Sequence, residues 1–285
     1  MRIFVTGGTG FIGSHFINQA HASEHEVVAL RRTSASSPRI PLDKEPKWID
    51  KSMNELHQED FSGCCSLVHF AAHSANVPYD TLENCLEQNV LHPLRLFRTA
   101  IKSGIRRYII AGSCFEYGKA GEDYEFIPTT APLEPTASYP ASKAAASIAF
   151  QALAREENLE LLILRIFQVY GEGEAASRFW PTLRKAAIAG ENLPMSEGLQ
   201  VRDFINVTDV AATFLAALER TDLQPGMPFI ENLGSGIPLT LRAFAEAQWK
   251  AAGATGTILP GVIPMRANEV MRYVPAIENF SKNNF

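Results

Sequence analysis

Tyr139 and Lys143 lie four residues apart in the run Ser138-Tyr139-Pro140-Ala141-Ser142-Lys143, a spacing that puts both side chains on one face of a helix. Proton transfer is the chemistry open to such a pair. A free phenol titrates near about 10, too high for ready exchange at neutral pH, and a neighbouring ammonium favours the phenolate and lowers that value. Alone, a Tyr-x-x-x-Lys pair is equally a surface pair. Its weight comes from what stands earlier in the chain: a hydroxyl residue, Ser113, in Gly112-Ser113-Cys114-Phe115-Glu116-Tyr117-Gly118, and a glycine-rich opening stretch from Ile3 to Ser14.

That opening stretch reads as a buried parallel strand turning through glycines into a helix. Gly7 allows the tight turn, Gly10 lets backbone approach a pyrophosphate, and Gly13 lets the helix lie close on the strand. The helix start at Phe11 and Ile12 offers free N–H groups and a partial positive charge to phosphate oxygens. A dinucleotide is the expected ligand. The second strand, Glu26 to Leu30, runs into Arg31-Arg32-Thr33-Ser34, where an NAD site would carry an acid for the ribose 2′-hydroxyl. Two guanidinium groups beside the Thr33 hydroxyl suit an extra phosphate, so NADP is expected in preference to NAD.

The elements that must position these groups follow in order. Lys47 to Asp50 is a short third strand, and Asp50 can accept from an adenine amino group or cap a helix. Ser66 to Ala72 is the fourth, bringing Ala71 close to the cofactor; His69 reads as a core histidine and His73 as part of the site's rim. A helical stretch from about Thr81 to Ser103 is interrupted at Pro93. The fifth strand is Tyr108 to Ala111, and the helix carrying Tyr139 and Lys143 runs to Ala154 with Pro140 in its first turn. This alternation predicts an α/β fold, a Rossmann doubly wound parallel sheet. The last third departs from it, with a helix from about Arg178 to Gly190, a return to the core through Arg202 to Leu233, and a second departure from Gly234. A smaller, discontinuous C-terminal substrate lobe is expected: 1–170 plus 203–233 for the cofactor domain, 171–202 plus 234–285 for the lobe.

Taken together, the glycine turn, Ser113, Tyr139 with Lys143, Leu162-Ile163-Leu164-Arg165, Val169-Tyr170-Gly171 and Val201-Arg202-Asp203-Phe204-Ile205-Asn206-Val207 resemble the extended short-chain dehydrogenase/reductases of the nucleotide-sugar epimerase/dehydratase type, over essentially the whole chain. The resemblance implies Tyr139 as proton donor to a substrate carbonyl, Ser113 as hydrogen-bond donor to the same oxygen, and Lys143 as the group that tunes Tyr139 and holds the nicotinamide ribose. It implies a nucleotide-diphosphate sugar held by Gln168, Arg202, Arg266 and Glu269, with Arg178 and His73 as further candidates. A surface salt bridge is the preferred reading for Arg178 and is set aside for Arg202.

What is absent narrows the reaction. Dehydratases of the resembling family carry an Asp-Glu pair where this chain has Cys114 and Phe115, and epimerases that retain NAD carry the acid missing at Arg31. The expected activity is therefore NADPH-dependent reduction of the C4 ketone of a nucleotide-linked 4-keto-6-deoxy sugar, as in deoxysugar and surface polysaccharide biosynthesis. The alternatives are an NAD-dependent nucleotide-sugar 4-epimerase and a non-catalytic NADP-binding protein. The family also implies a homodimer through the helices around 81–103 and 139–156.

Composition excludes other classes. Among 285 residues, 26 are basic and 31 acidic, with no basic block, so neither nucleic acid nor an anionic membrane surface is an expected partner. No apolar run is long enough to span a bilayer, and a strand pattern beginning at Arg2 leaves no room for a leader. Cys64, Cys65, Cys85 and Cys114 lack metal-ligand spacing, which predicts no metal and a reduced, cytoplasmic protein. A thiol nucleophile at Cys114, with His69 or His73 as base, ranks low because nothing supplies an oriented third group.

Overall fold

A computed structural model describes residues 1–266 and 269–277. The chain runs β1 (Arg2–Thr6), α1 (Phe11–Ala22), β2 (Glu26–Arg31), β3 (Lys47–Asp50), β4 (Ser66–His69), α2 (Leu82–Leu86), α3 (His92–Lys102), β5 (Arg107–Ser113), α4 (Ser138–Glu156), β6 (Glu160–Ile166), β7 (Gln168–Tyr170), α5 (Phe179–Ala189), β8 (Leu193–Pro194), β9 (Val201–Asn206), α6 (Val207–Ala217), β10 (Phe229–Leu233), β11 (Pro238–Thr240), α7 (Leu241–Ala251), β12 (Ile258–Leu259) and β13 (Arg272–Tyr273). Seven strands form one sheet in the order β10-β6-β5-β4-β1-β2-β3, every pairing parallel. The order reverses between β1 and β4, and in doubly wound sheets ligands bind at the carboxyl ends of the strands flanking such a reversal.

The apolar strands are buried on both faces because helices cover both. Phe16 and Ile17 of α1 and Val210 and Phe214 of α6 pack on Ile3, Val5, Val68 and Leu164. On the other face Leu96 and Phe97 of α3 and Phe150 and Leu153 of α4 pack on Phe4, Leu67 and Ile110. A second, four-stranded sheet joins β7, β9, β11 and β13, with β11 antiparallel to β9 and the other pairings parallel. Beside it α5 and α7 bury Leu183, Ala187, Ala245 and Trp249.

Several local expectations change. The boundary read at 202/203 falls inside β9, which lies in the second sheet, and the chain rejoins the main layers at α6 and β10. β5 continues past Ala111 to Ser113, because its ladder with β6 extends to Ser113 opposite Ile166. β4 stops at His69, and Phe70 to Ala72 leave the sheet toward its carboxyl edge. The helix restart expected at Pro93 is present: Glu87–Leu91 form a π-helical segment, α3 begins at His92, and Pro93 sits in its first turn, where its missing N–H costs nothing. No helix among the described residues is long and apolar enough to cross a membrane.

His69 is the core histidine expected. It is buried, shares a 2.7 Å hydrogen bond with the Thr6 hydroxyl, and meets Phe97 and Phe150 edge-on. Burial, reinforced by the Lys143 charge, lowers its pKa to about 3. The unfolded chain therefore binds an extra proton between about 3 and about 6.5, so His69's contribution is complete above that window and lost as pH falls through it, at about 1.4 kcal/mol per pH unit. Urea unfolding at pH 7 and pH 5 should show the wild type losing about 2 kcal/mol more than His69→Asn; equal losses would show that His69 does not carry the acid sensitivity.

Candidate active site

The carboxyl ends of the central strands open into a cleft of about 770 Å³, lined by the β1–α1 turn, the ends of β2, β4 and β5, the face of α4, and the segment after β6. That size suits a dinucleotide with part of a second ligand. Gly7 has φ +71°, and a Cβ there would lie 2.6 Å from the Ala71 backbone nitrogen, so the turns after β1 and β4 touch only because Gly7 has no side chain. A Cβ on Gly13 would stand 2.2 Å from the Gly7 carbonyl oxygen. No side chain caps the start of α1, and its first turn holds no acid, which leaves the N–H groups at Phe11, Ile12 and Gly13 facing an anion without competition. The cradle fits a pyrophosphate.

At the far end of this cradle the lining is Arg31, Arg32, Ser36, Ser37, Arg39 and Lys51, with no carboxylate among the described residues there. Two expectations are corrected. Asp50 does not line the cleft; it lies opposite Arg31 in the β2–β3 register and accepts hydrogen bonds from that guanidinium, which also stacks over Trp48. Its carboxylate is committed to Arg31 and not to an adenine. Thr33 is also off the lining, because the chain turns at Thr33–Ser36 and presents Ser36 and Ser37 in its place.

Ser113, Tyr139 and Lys143 meet in the middle of the cleft. β5 delivers Ser113 at its last residue, and α4 delivers the other two from its first turns, all buried. The Ser113 hydroxyl stands close enough to the Tyr139 phenol to favour its ionised form, and the Tyr79 ring lies 5.5 Å from the Tyr139 ring. Lys143 Nζ donates to the Ala111 carbonyl at 2.7 Å. The lowering of the Tyr139 pKa expected from Lys143 is not what the protein's own groups produce. Burial pushes the phenol well above its ordinary range, Glu116, Cys114 and Tyr79 push the same way, and the Ser113 hydroxyl opposes them. Lys143 is itself lowered by burial, against the pull of Glu116.

Glu116 and Asn89 were missing from the sequence reading. The Glu116 carboxylate is fully buried, accepts from the Ser113 backbone N–H (2.8 Å) and the Ser147 hydroxyl (2.7 Å), and pairs with Arg165 at 2.9 Å. Ser113-x-x-Glu116 forms a capping box, a pattern readable in advance. Asn89, presented by the π-helical segment, accepts from the His73 N–H and donates to the His73 carbonyl and the Ser142 hydroxyl, tying the rim to the catalytic helix. No local pattern announces it. Tyr273 of β13 braces the turn after Ser113, its hydroxyl 3.0 Å from the Cys114 carbonyl and 3.2 Å from that of Gly118.

His73, Gln168 and Arg178 line the cleft near Tyr139, whereas Arg202, Arg266 and Glu269 do not. His73 is paired with Asp80 at 2.7 Å. Arg178 forms the expected ion pair, with Glu174 at 3.3 Å. Arg202 is corrected: it too forms a salt bridge, with Glu269 at 2.8 Å, because a guanidinium this buried requires a counter-charge. Arg266 is exposed. Cys114 is no nucleophile: burial, then the Glu116 charge, raises its thiol to about 12.

The parallel sheet, the glycine cradle and the serine–tyrosine–lysine cluster form one cleft of a Rossmann-type fold. The sequence matches the NAD dependent epimerase/dehydratase family over residues 3–230, and the chain belongs to that family. It is 26% identical to a UDP-glucose 4-epimerase of Corynebacterium glutamicum, over 98% of this chain and 88% of that protein. It is also 26% identical to a CDP-abequose synthase of Salmonella muenchen, over 95% of this chain and 87% of that protein. The solved structure of MoeE5 with UDP-glucuronic acid and NAD superposes with a TM-score of 0.82 at 25% identity, covering 99% of this chain and 92% of that one.

Two outcomes test this geometry. Gly13→Ala should weaken nicotinamide cofactor binding by at least about tenfold in a fluorescence titration, since the added methyl drives the Gly7 carbonyl out of place; unchanged affinity would detach the cradle from cofactor binding. Glu116→Ala should cost about 3–5 kcal/mol of unfolding free energy by leaving Arg165 buried and unpaired, and a loss below about 1 kcal/mol would mean the pair is not a structural anchor.

Proposed function

We propose that the protein reduces the C4 ketone of a nucleotide-linked 4-keto-6-deoxy sugar, with NADPH as hydride donor. The observation that carries this reading is the meeting of Ser113, Tyr139 and Lys143 on the wall of a cleft that also holds the glycine turn. The Tyr139 phenol can give a proton to an oxygen that gains charge as hydride arrives at its carbon, once a bound nicotinamide and the Lys143 ammonium offset the burial that weakens it as an acid. The Ser113 hydroxyl steadies that oxygen. Lys143, fixed by the Ala111 carbonyl, extends its ammonium along the cofactor side of α4 and can hold ribose hydroxyls. A bound nicotinamide supplies the hydride.

Cys114 and Phe115 cannot move protons as an Asp-Glu pair would, so loss of water is disfavoured. The basic, acid-free lining beyond the pyrophosphate cradle supports NADP, with Arg32, Arg39 and the Ser36 and Ser37 hydroxyls around a 2′-phosphate. Gln168 and Arg178, which line the cleft, face the sugar and diphosphate. The reading has residues 1–170 together with α6 to β10 binding cofactor, with β9 and the remaining segments forming the lobe. It also has the protein cytoplasmic and dimeric, an association supported by exposed Leu82, Leu91 and Ile148 on the segments around α2 to α4.

A second reading, an NAD-dependent nucleotide-sugar 4-epimerase, is favoured by the relatives that carry that name and by the NAD in the MoeE5 structure. The same tyrosine would then remove a proton before returning it. Incubation with NADPH and a panel of nucleotide-linked 4-keto-6-deoxy sugars should consume cofactor absorbance in proportion to product. Interconversion of UDP-hexoses without net cofactor consumption would replace the reductase with the epimerase. Tyr139→Phe should lower turnover by about 100- to 10,000-fold while cofactor affinity holds; full activity would take Tyr139 out of the mechanism.

A further inference from the structure

Two segments far apart in the chain meet beside the glycine cradle. The first is the connection from β2 to β3, where the Arg39 N–H donates to the Thr9 carbonyl at 3.2 Å and so lies directly on the β1–α1 turn. Asn18 of α1 fastens the same connection through the Pro41 carbonyl and the Asp43 N–H, at 3.1 and 3.0 Å. The second segment runs from β7 to α5. It starts at Gly171, where a Cβ would stand 2.6 Å from Val207 Cγ1, and is then held to α1 by His15, whose Nε2 lies 2.8 Å from the Glu172 carbonyl. A carbonyl only accepts, so the imidazole is the donor. One residue on, Gly173 rests against the first segment: a Cβ there would lie 2.9 Å from Ile40 Cγ2 and 3.2 Å from Arg39 Cβ.

The two segments form a bridge from the start of α1 to the end of the cleft where Arg39 lies. His15 stands one turn beyond Phe11 and meets its ring edge-on, which sets the bridge's fastening at the helix terminus that faces an anion. Arg39 and Gly173 line the same cleft as Thr9 and Gly10, so the bridge borders the space a pyrophosphate would take. A dinucleotide has the shape of a dumbbell, with two ring systems joined by that narrow pyrophosphate. A clasp at the waist retains both ends, and this one is closed by bonds and contacts between protein groups alone.

Resting on the reading of the cleft as a nicotinamide dinucleotide site, we propose that the contact of Gly173 with Arg39 and Ile40, latched by His15 on the Glu172 carbonyl, is a gate that the cofactor must open both to bind and to leave. A latch made by the protein alone is equally strong with and without the ligand. It therefore slows association and dissociation by the same factor and leaves affinity unchanged. Such a gate bears on the chemistry: a reductase exchanges its cofactor at every turnover, and opening of a strap can then limit kcat.

Stopped-flow mixing with NADPH, and separately with NADH, gives the association rate constant; displacement of each by excess oxidised cofactor gives the dissociation rate constant. His15→Ala removes the latch and should raise both constants by about three- to tenfold, as one hydrogen bond is worth, with Kd held within about twofold. Ile40→Ala, which takes away the surface under Gly173, should act in the same direction. His15→Gln keeps an N–H of similar reach and should restore rates near those of the wild type. Unchanged rate constants in His15→Ala overturn the gate and leave the dinucleotide reading standing. A faster dissociation alone, with weaker affinity, also overturns it, because the segment would then be a cofactor contact. If neither NADPH nor NADH binds the wild type, the dinucleotide reading fails, and the gate with it.

Discussion

A single buried carboxylate governs the geometry of the catalytic centre. Glu116 holds the end of β5 through the Ser113 N–H, the end of β6 through Arg165, and α4 through the Ser147 hydroxyl. Its side chain is 0% exposed and that of Arg165 3%, so neither charge recovers its hydration elsewhere. Such a pair contributes little net stability compared with apolar packing, and its strength lies in how severely it penalises displacement. Arg165 is fixed further by the Tyr117 ring beneath it and the Thr129 carbonyl. Ser113 and the helix bearing Tyr139 are thus registered to one another through the interior and not across the open cleft.

The same carboxylate sets the electrostatics of the residues it positions. It pushes the Tyr139 phenol toward its protonated form and favours the charged form of Lys143, which burial opposes. The protein by itself thus makes the phenol a weaker acid than free tyrosine. Ser113 is the local group that stabilises the phenolate, and a positively charged nicotinamide would be the other.

Much of this was legible in the chain. The glycine spacing, the apolar strands and the Tyr139–Lys143 pair are local signals with local causes, and the main sheet forms as they predict. What escaped depends on partners distant in sequence. Nothing near Asp50 or Arg31 says that adjacent strands will set them opposite each other, and nothing near Arg202 points to Glu269. The π-helical turn that presents Asn89 carries no residue type that marks it, and proline drew attention to a position a few residues too late. Thr33 and Ser34 looked right by residue type, but a turn decides which hydroxyls face inward.

The brace supplied by Tyr273 reaches Cys114 across 159 residues of sequence. The turn that follows Ser113 therefore gains this support only from a segment synthesised 159 residues later. Loss of Tyr273 would take that footing from the turn while leaving the glycine turn after β1, which makes no contact with it, as it was.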